Sequence, residues 1–215
     1  PAAEASARDQ RQATTVRLAQ QAARPVRPED TVVVGVIGSG NYATHILIPA
    51  FKSTSVVLKT VVSASGVSGV HAGTKYGFEE TTTDSASVLE DSSINTVVVA
   101  TRHDSHARYV CEALQAGKHI FVEKPLAITR EELDMITATF NETHAAGRHP
   151  ASSGTTPVEP LVMVGFNRRF APQVQKIKTL LNGVGEPKSF VMTVNAGAIP
   201  PEHWTQNPVV GGGRI

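Results

Sequence analysis

Two clusters of residues in this chain have the types and spacing that chemistry needs. The first is Gly38-Ser39-Gly40-Asn41-Tyr42-Ala43, which follows the apolar run at residues 32–37 and opens a stretch that can be helical. Gly38-x-Gly40-x-x-Ala43 is the spacing that cradles a nucleotide pyrophosphate. Gly38 permits a tight turn, Gly40 lets the backbone approach the phosphates, and Ala43 lets the helix lie close to the strand. Backbone N–H groups of Ser39, Asn41 and Tyr42 at the helix start would face the phosphate charge. The second is Val122-Glu123-Lys124-Pro125, a lysine at the end of another apolar strand beside a proline that fixes the turn. Lys124 is the candidate catalytic residue, because an ammonium beside a hydroxyl stabilises the alkoxide that develops there.

A third group, Thr101-Arg102-His103-Asp104-Ser105-His106, follows an apolar strand. It is therefore expected at the carboxyl edge of a sheet, where ligands of such sheets bind. Thr101, His103 and His106 are candidates for the cofactor groove. Asp104 and His103 could also cap the following helix, and His106 could pack on the next loop. No metal site is expected, since these residues lie at a helix start without a convincing ligand partner. Dinucleotide sites that prefer NAD usually carry Asp or Glu after the second strand; here the turn reads Val62-Ser63-Ala64-Ser65-Gly66. Ser63 and Ser65 are neutral and can donate to a 2′-phosphate, which tilts the expectation between NAD and NADP towards NADP.

The elements that must position these residues alternate along the chain. Strands are expected at residues 32–37, 56–62, 76–78, 94–100, 119–122 and 161–166, with helical patterns between them. The first helix would bury Ile46, Leu47, Ala50 and Phe51. The spacing of Ala107, Val110, Cys111 and Leu114 marks one buried helix face, and Gly117 is placed to end that helix in a left-handed cap. Thr129-Arg130-Glu131-Glu132 has capping-box spacing for a helix with Leu133, Ile136, Thr137 and Phe140 inside. Residues 149–160 read as a long, mobile loop, 173–181 as a helix, and 189–195 as the first strand of a second, antiparallel sheet. The expected fold is α/β, a Rossmann-type doubly wound parallel sheet over residues 31–169. It is followed by the start of a truncated α+β domain over 170–215 and preceded by a linker or frayed tail over 1–30.

Composition bounds the function. The 215 residues carry 20 Lys and Arg against 19 Asp and Glu, a net charge of +1 that gives nucleic acid no basic surface to bind. No apolar stretch reaches the roughly 20 residues of a membrane helix. Cys111 is the single cysteine and cannot form an internal disulfide, which suits a reducing, cytoplasmic setting.

The run from Val36 to Ala43, the segment from Ala113 to Pro125 and Gly165-Phe166-Asn167-Arg168-Arg169-Phe170-Ala171-Pro172 together resemble the Gfo/Idh/MocA oxidoreductases, the glucose-fructose oxidoreductase and inositol dehydrogenase family. The stretch from Asn195 to Ile215 is further similar to a bacterial subgroup in which this module follows a zinc-type alcohol dehydrogenase module. The resemblance implies hydride exchange between NAD or NADP and a hydroxyl-bearing carbon of a sugar, polyol or sugar derivative. It implies that Glu123 orients Lys124 or contacts the nicotinamide ribose, with Pro125 fixing the turn. Arg168 and Arg169 fall where the family carries a basic residue near substrate or cofactor, unless they serve as ion-pair partners. Trp204 and His203 would reach the substrate pocket, with core packing an equal alternative for Trp204. The family's catalytic aspartate and histidine would lie beyond Ile215, so the resemblance makes this an incomplete piece. Complete relatives form homo-oligomers through the second domain. A non-catalytic, cofactor-sensing module on the same scaffold is the alternative function.

Overall fold

The computed structural model describes residues 14–18, 31–146, 159–193, 195 and 197–213. Its centre is a seven-stranded sheet in the order β1-β4-β3-β2-β5-β6-β7. The strands are β1 (Thr15–Arg17), β2 (Val33–Ile37), β3 (Val57–Val62), β4 (Glu80–Thr82), β5 (Thr96–Val99), β6 (His119–Val122) and β7 (Val162–Val164). All pair in parallel except β1, which runs antiparallel to β4. The chain builds outward from β2 through β3 to β4, then returns to β5 and builds the other way. The strand order therefore reverses between β2 and β5, which leaves a crevice at their carboxyl ends.

Alternation along β2 divides the core. Val33 and Ile37 join Val97, Val99, Ile120 and Val122 on one face, under α3 (Ala86–Glu90), α4 (His106–Gln115) and α5 (Arg130–Ala145). Val34 and Val36 face the other way with Leu58, Val61 and Val98, under α1 (Ile48–Lys52) and α2 (Gly66–Tyr76). Strands covered on both faces read as near-continuous β-branched runs, which is the pattern at residues 96–99 and, with Gly35 as its one break, at 32–37. Phe51 of α1 meets Phe121 of β6 edge-on at 5.5 Å, tying the second layer to the far half of the sheet.

Several expectations change. The tail over residues 1–30 contributes an edge strand at Thr15–Arg17, because Thr15 and Val16 are β-branched and Leu18 seats against Gly73 of α2; its remaining residues lie outside the described ones. Residues 76–78 are not a strand. Tyr76 ends α2, Gly77 caps it with φ +77°, and Phe78 is a core residue; the strand begins at Glu80. The first helix contains a π-helical turn, Ala43–Leu47, in which the Ile48 N–H reaches the Ala43 carbonyl. One extra residue per turn rotates the apolar face, so Ile48 is buried and Ile46 is exposed. In α5 the inner face is Ile136, Thr139 and Thr143, with Phe140 packed beside them, while Leu133 lies 42% exposed. The capping box of Thr129 and Glu132 forms as the spacing implies, and Gly117 takes φ +66°.

At 189–195 the described residues form no strand. Phe190, Val191 and Met192 stand exposed there, and no strand among the described residues pairs with that stretch. The loop expected at 149–160 falls largely outside the described residues. After β7 the chain forms α6 (Pro172–Leu181), then a strap in which the short 3-10 turn Trp204–Gln206 returns to the carboxyl edge of the sheet.

Candidate active site

Four backbone hydrogen bonds extend the sheet ladder past the strand ends and align the loop tips. Gly38 N–H donates to Val62 O (2.9 Å), Ala100 to Ile37 O (2.9 Å), Glu123 to Val99 O (2.9 Å) and Gly165 to Val122 O (2.8 Å). The glycine turn, the Thr101 loop, the Glu123-Lys124-Pro125 turn and the Asn167-Arg168 turn are thereby brought side by side. Between them lies a cavity of about 320 Å³ lined by Tyr42, Ala100, Thr101, His103, His106, Glu123, Lys124, Asn167, Arg168 and Trp204.

The glycine turn fits a dinucleotide on its own geometry. Gly38 has φ +108°, and a Cβ there would meet the Ala100 carbonyl oxygen at 2.5 Å, so no side chain can replace it without moving β5's tip. At Gly40 a Cβ would meet nothing within 4 Å, which leaves open space over the backbone. The first intrahelical bond runs from Thr44 N–H to Gly40 O at 2.9 Å. The N–H groups of Asn41, Tyr42 and Ala43 precede it and have no intrahelical acceptor, the arrangement that receives a phosphate. Ser39, Ser63 and Ser65 gather through a residue the sequence reading passed over, Ser68. Its hydroxyl lies 3.1 Å from Ser39 Oγ and 2.7 Å from Ser63 Oγ, and donates to Ser65 O at 3.0 Å. Periodicity offers no signal for Ser68, since it is one polar residue on a short, Gly-rich helix.

The two histidines separate in role. His106 is fully buried, with Nδ1 2.7 Å from the Pro125 carbonyl and Nε2 3.2 Å from the Thr101 carbonyl. It lies beneath the cavity and fastens the tip of β5 to the Lys124-Pro125 turn, whose peptide bond is cis. His103 is half-buried and belongs to the cavity wall; its Nδ1 is 2.8 Å from the Gly211 carbonyl in the returning strap. Its ring centroid is 4.7 Å from that of Trp204 at 77°. Burial holds the His103 imidazole below its ordinary pKa of 6.5, and the nearby positive charge of Lys124 acts in the same direction. Thr101 Oγ1 pairs with Ser105 Oγ at 2.7 Å, which stiffens the loop.

Burial pushes the Glu123 carboxyl up from 4.5, opposed by the Lys124 backbone N–H and by the His106 and Lys124 charges. The carboxylate lies over Gly165, where a Cβ would stand 2.8 Å from Oε1. Lys124 is exposed to solvent and opens into the cavity with Arg168. Asn167, not singled out from sequence, donates from Nδ2 to Tyr42 Oη at 2.7 Å and bridges the first helix to the turn after β7. Of the remaining candidates, Arg169 holds its guanidinium 5.0 Å from the Phe170 ring and is absent from the cavity wall. His203 is likewise outside it, with Nδ1 2.8 Å from Thr205 Oγ1 as the cap of the short strap helix. Among the described residues no three His, Cys, Asp or Glu side chains gather as metal ligands, and no helix is long and apolar enough to cross a membrane.

Known proteins are similar to this chain in sequence and in fold. Levoglucosan dehydrogenase of Pseudarthrobacter phenanthrenivorans is 28% identical over 191 residues, 84% of this chain and 45% of that protein. Inositol 2-dehydrogenase 3 of Saccharopolyspora erythraea is 31% identical over 162 residues, covering 73% of this chain and 43% of the relative. Among solved structures, a levoglucosan dehydrogenase in complex with NADH superposes with a TM-score of 0.64 at 27% identity, over 85% of this chain and 49% of that one. A point variant of KijD10, a 3-ketoreductase from Actinomadura kijaniata in complex with TDP-benzene and NADP, gives 0.69 at 25% identity, over 86% and 53%. The chain thus spans about half the length of the curated relatives it matches. Residues 32–147 match the family described as an oxidoreductase family with an NAD-binding Rossmann fold, and the chain belongs to that family, GFO_IDH_MocA.

Proposed function

We propose that this chain is the cofactor-binding part of an NAD(P)-dependent oxidoreductase that moves a hydride between a nicotinamide and a hydroxyl-bearing carbon of a sugar or polyol. The observation that carries the reading is Lys124, which opens into one cavity with Tyr42 of the helix after the glycine turn and Thr101 of the β5 tip. Relatives named levoglucosan and inositol dehydrogenases supply the substrate class. They also weigh against a purely cofactor-sensing role.

In this reading the bound dinucleotide supplies the hydride acceptor or donor. Gly38, Ser39, Gly40, Asn41, Tyr42 and Ala43 hold the pyrophosphate, and Ser63 and Ser65 face the ribose 2′ position, with a lean to NADP. Thr101, His103, Glu123 and Pro125 serve the nicotinamide end, with His106 behind them and Arg169 on the cofactor side. Lys124 Nζ donates to the reacting oxygen and stabilises its developing negative charge, while Arg168 and Trp204 hold the rest of the substrate. Residues 31–169 are the dinucleotide domain and 170–215 open a second, α+β domain for substrate and homo-oligomer contacts. The natural polypeptide would be cytoplasmic and place this module behind a zinc-type alcohol dehydrogenase; its size and reading frame test that point.

Lys124→Ala in the complete polypeptide should lower kcat by about 10²–10³-fold, the scale for one group that stabilises transition-state charge. Its affinity for reduced cofactor should be kept. Unchanged turnover overturns the assignment. Trp204, the single tryptophan, lines the cavity, so energy transfer from it to a reduced nicotinamide reports binding in this chain. A clear preference for NADH over NADPH would overturn the lean to NADP.

A further inference from the structure

The contact between His103 and the strap has a chemical consequence. Gly211 offers His103 a carbonyl oxygen at 2.8 Å, and a carbonyl only accepts, so Nδ1 must carry the hydrogen. A neutral imidazole has one N–H, which leaves Nε2 with a bare lone pair. Among the described residues no donor reaches Nε2, and the ring forms part of the cavity wall with Lys124. The titratable and charged groups around this ring are His106, Lys124 and Asp104, with Arg102 beyond Trp204. Burial and the positive neighbours favour the neutral ring, the form in which Nε2 accepts.

The strap is held firmly enough to set this tautomer. Asp104 N–H donates to Val210 O at 3.1 Å, and Gly211 N–H donates to Asn207 O at 2.8 Å. A Cβ on Gly211 would meet Thr205 Cα at 2.4 Å, so the carbonyl arrives where it does because residue 211 has no side chain. Trp204, from the same strap, packs edge-on against the ring. Lysine can only donate through its ammonium, and a His103 so fixed can only accept through Nε2. The two present complementary partners to neighbouring hydroxyls.

We propose that His103 is a specificity-determining residue whose Nε2 accepts a hydrogen bond from a substrate hydroxyl next to the one held by Lys124, so that the cavity selects polyols over simple alcohols. This rests on the oxidoreductase reading of the same cavity, and its two tests separate the readings. In this chain, ¹⁵N NMR of labelled histidine should show His103 with protonated Nδ1 and bare Nε2 near neutral pH; the opposite tautomer overturns the proposal whatever the enzyme does. In the complete polypeptide, His103→Asn keeps a donor at the Nδ1 position and removes the Nε2 acceptor. It should raise KM for inositol about tenfold, the scale of one lost hydrogen bond to a hydroxyl, and raise that for cyclohexanol, which has no second hydroxyl, by much less. His103→Gln, which returns an acceptor near Nε2, should recover most of the loss. An unchanged KM for inositol in His103→Asn, or equal losses for inositol and cyclohexanol, would overturn the proposal. No turnover of any alcohol by the unaltered polypeptide would instead overturn the oxidoreductase reading, while the tautomer still decides whether His103 can accept.

Discussion

Helices α4 and α6 are both ten residues long and both amphipathic, yet they meet opposite fates. In α4, His106, Ala107, Val110, Cys111, Ala113 and Leu114 are buried against the sheet and α5. In α6 no residue is buried, and Ile177 and Leu180 lie 47% and 65% exposed. An apolar stripe states that a helix has a side to hide, but burial depends on a surface arriving to cover it. Seven of the ten residues of the cavity wall hang from the covered half, while Asn167, Arg168 and Trp204 come from the segment after β7, where Phe166, Phe170 and Phe190 stand exposed with α6.

The sharpest test of that contrast is Leu114→Ala, which empties a fully buried site in the main core and should cost about 2–5 kcal/mol in urea unfolding. A loss below about 1 kcal/mol would mean that the α4 interface is far looser than its burial implies. Lys118→Met comes next. Lys118 is buried and its Nζ donates to Asp91 O at 2.8 Å and Ile94 O at 2.7 Å, so methionine strands the Ile94 carbonyl at the amino edge of the sheet and leaves Asp91 O with the Ile94 N–H alone. About 1–3 kcal/mol should be lost by the same measurement, with cofactor binding at the far edge unaffected.

Acid should act more gently and on the covered half. Burial lowers the folded-state pKa of His103 and His119 below 6.5, so the unfolded chain binds more protons below that value. Stability is then complete above the unfolded pKa and falls as pH drops below about 6.5. Unfolding midpoints that rise over that drop in pH would contradict the sign. The smallest effect belongs to Leu180→Ser, which should stay within about 0.5 kcal/mol because the side chain is mostly in water already. A large loss would show that something covers α6 in solution.

Legibility followed the same divide. The strand-turn-helix around Gly38, the α4 face, the capping box at Thr129 and the left-handed Gly117 were readable, because each depends on residues within about one or two helical turns of one another. Ile46 was misplaced because the π-helical turn depends on how the helix packs under the sheet, which no fixed 3.6-residue period registers. Residues 76–78 look like a strand by composition, but Tyr76 and Phe78 instead close the end of α2 onto the core. Thr15–Arg17 was hidden because an isolated three-residue strand has no signal apart from the edge it completes.

The candidate site divides likewise. Spacing and residue type alone single out the glycine turn, the serines after β3 and Glu123-Lys124-Pro125 as candidates, since each motif carries its chemistry within a few residues. Tertiary structure alone decided that Asn167 would reach Tyr42, 125 residues away, and that Gly211 would meet His103 across 108. It also decided that α6 would remain uncovered. Local sequence sets backbone preferences and which faces are apolar, whereas the partner of a side chain at long range is chosen only when the packed layers bring two distant segments to one edge.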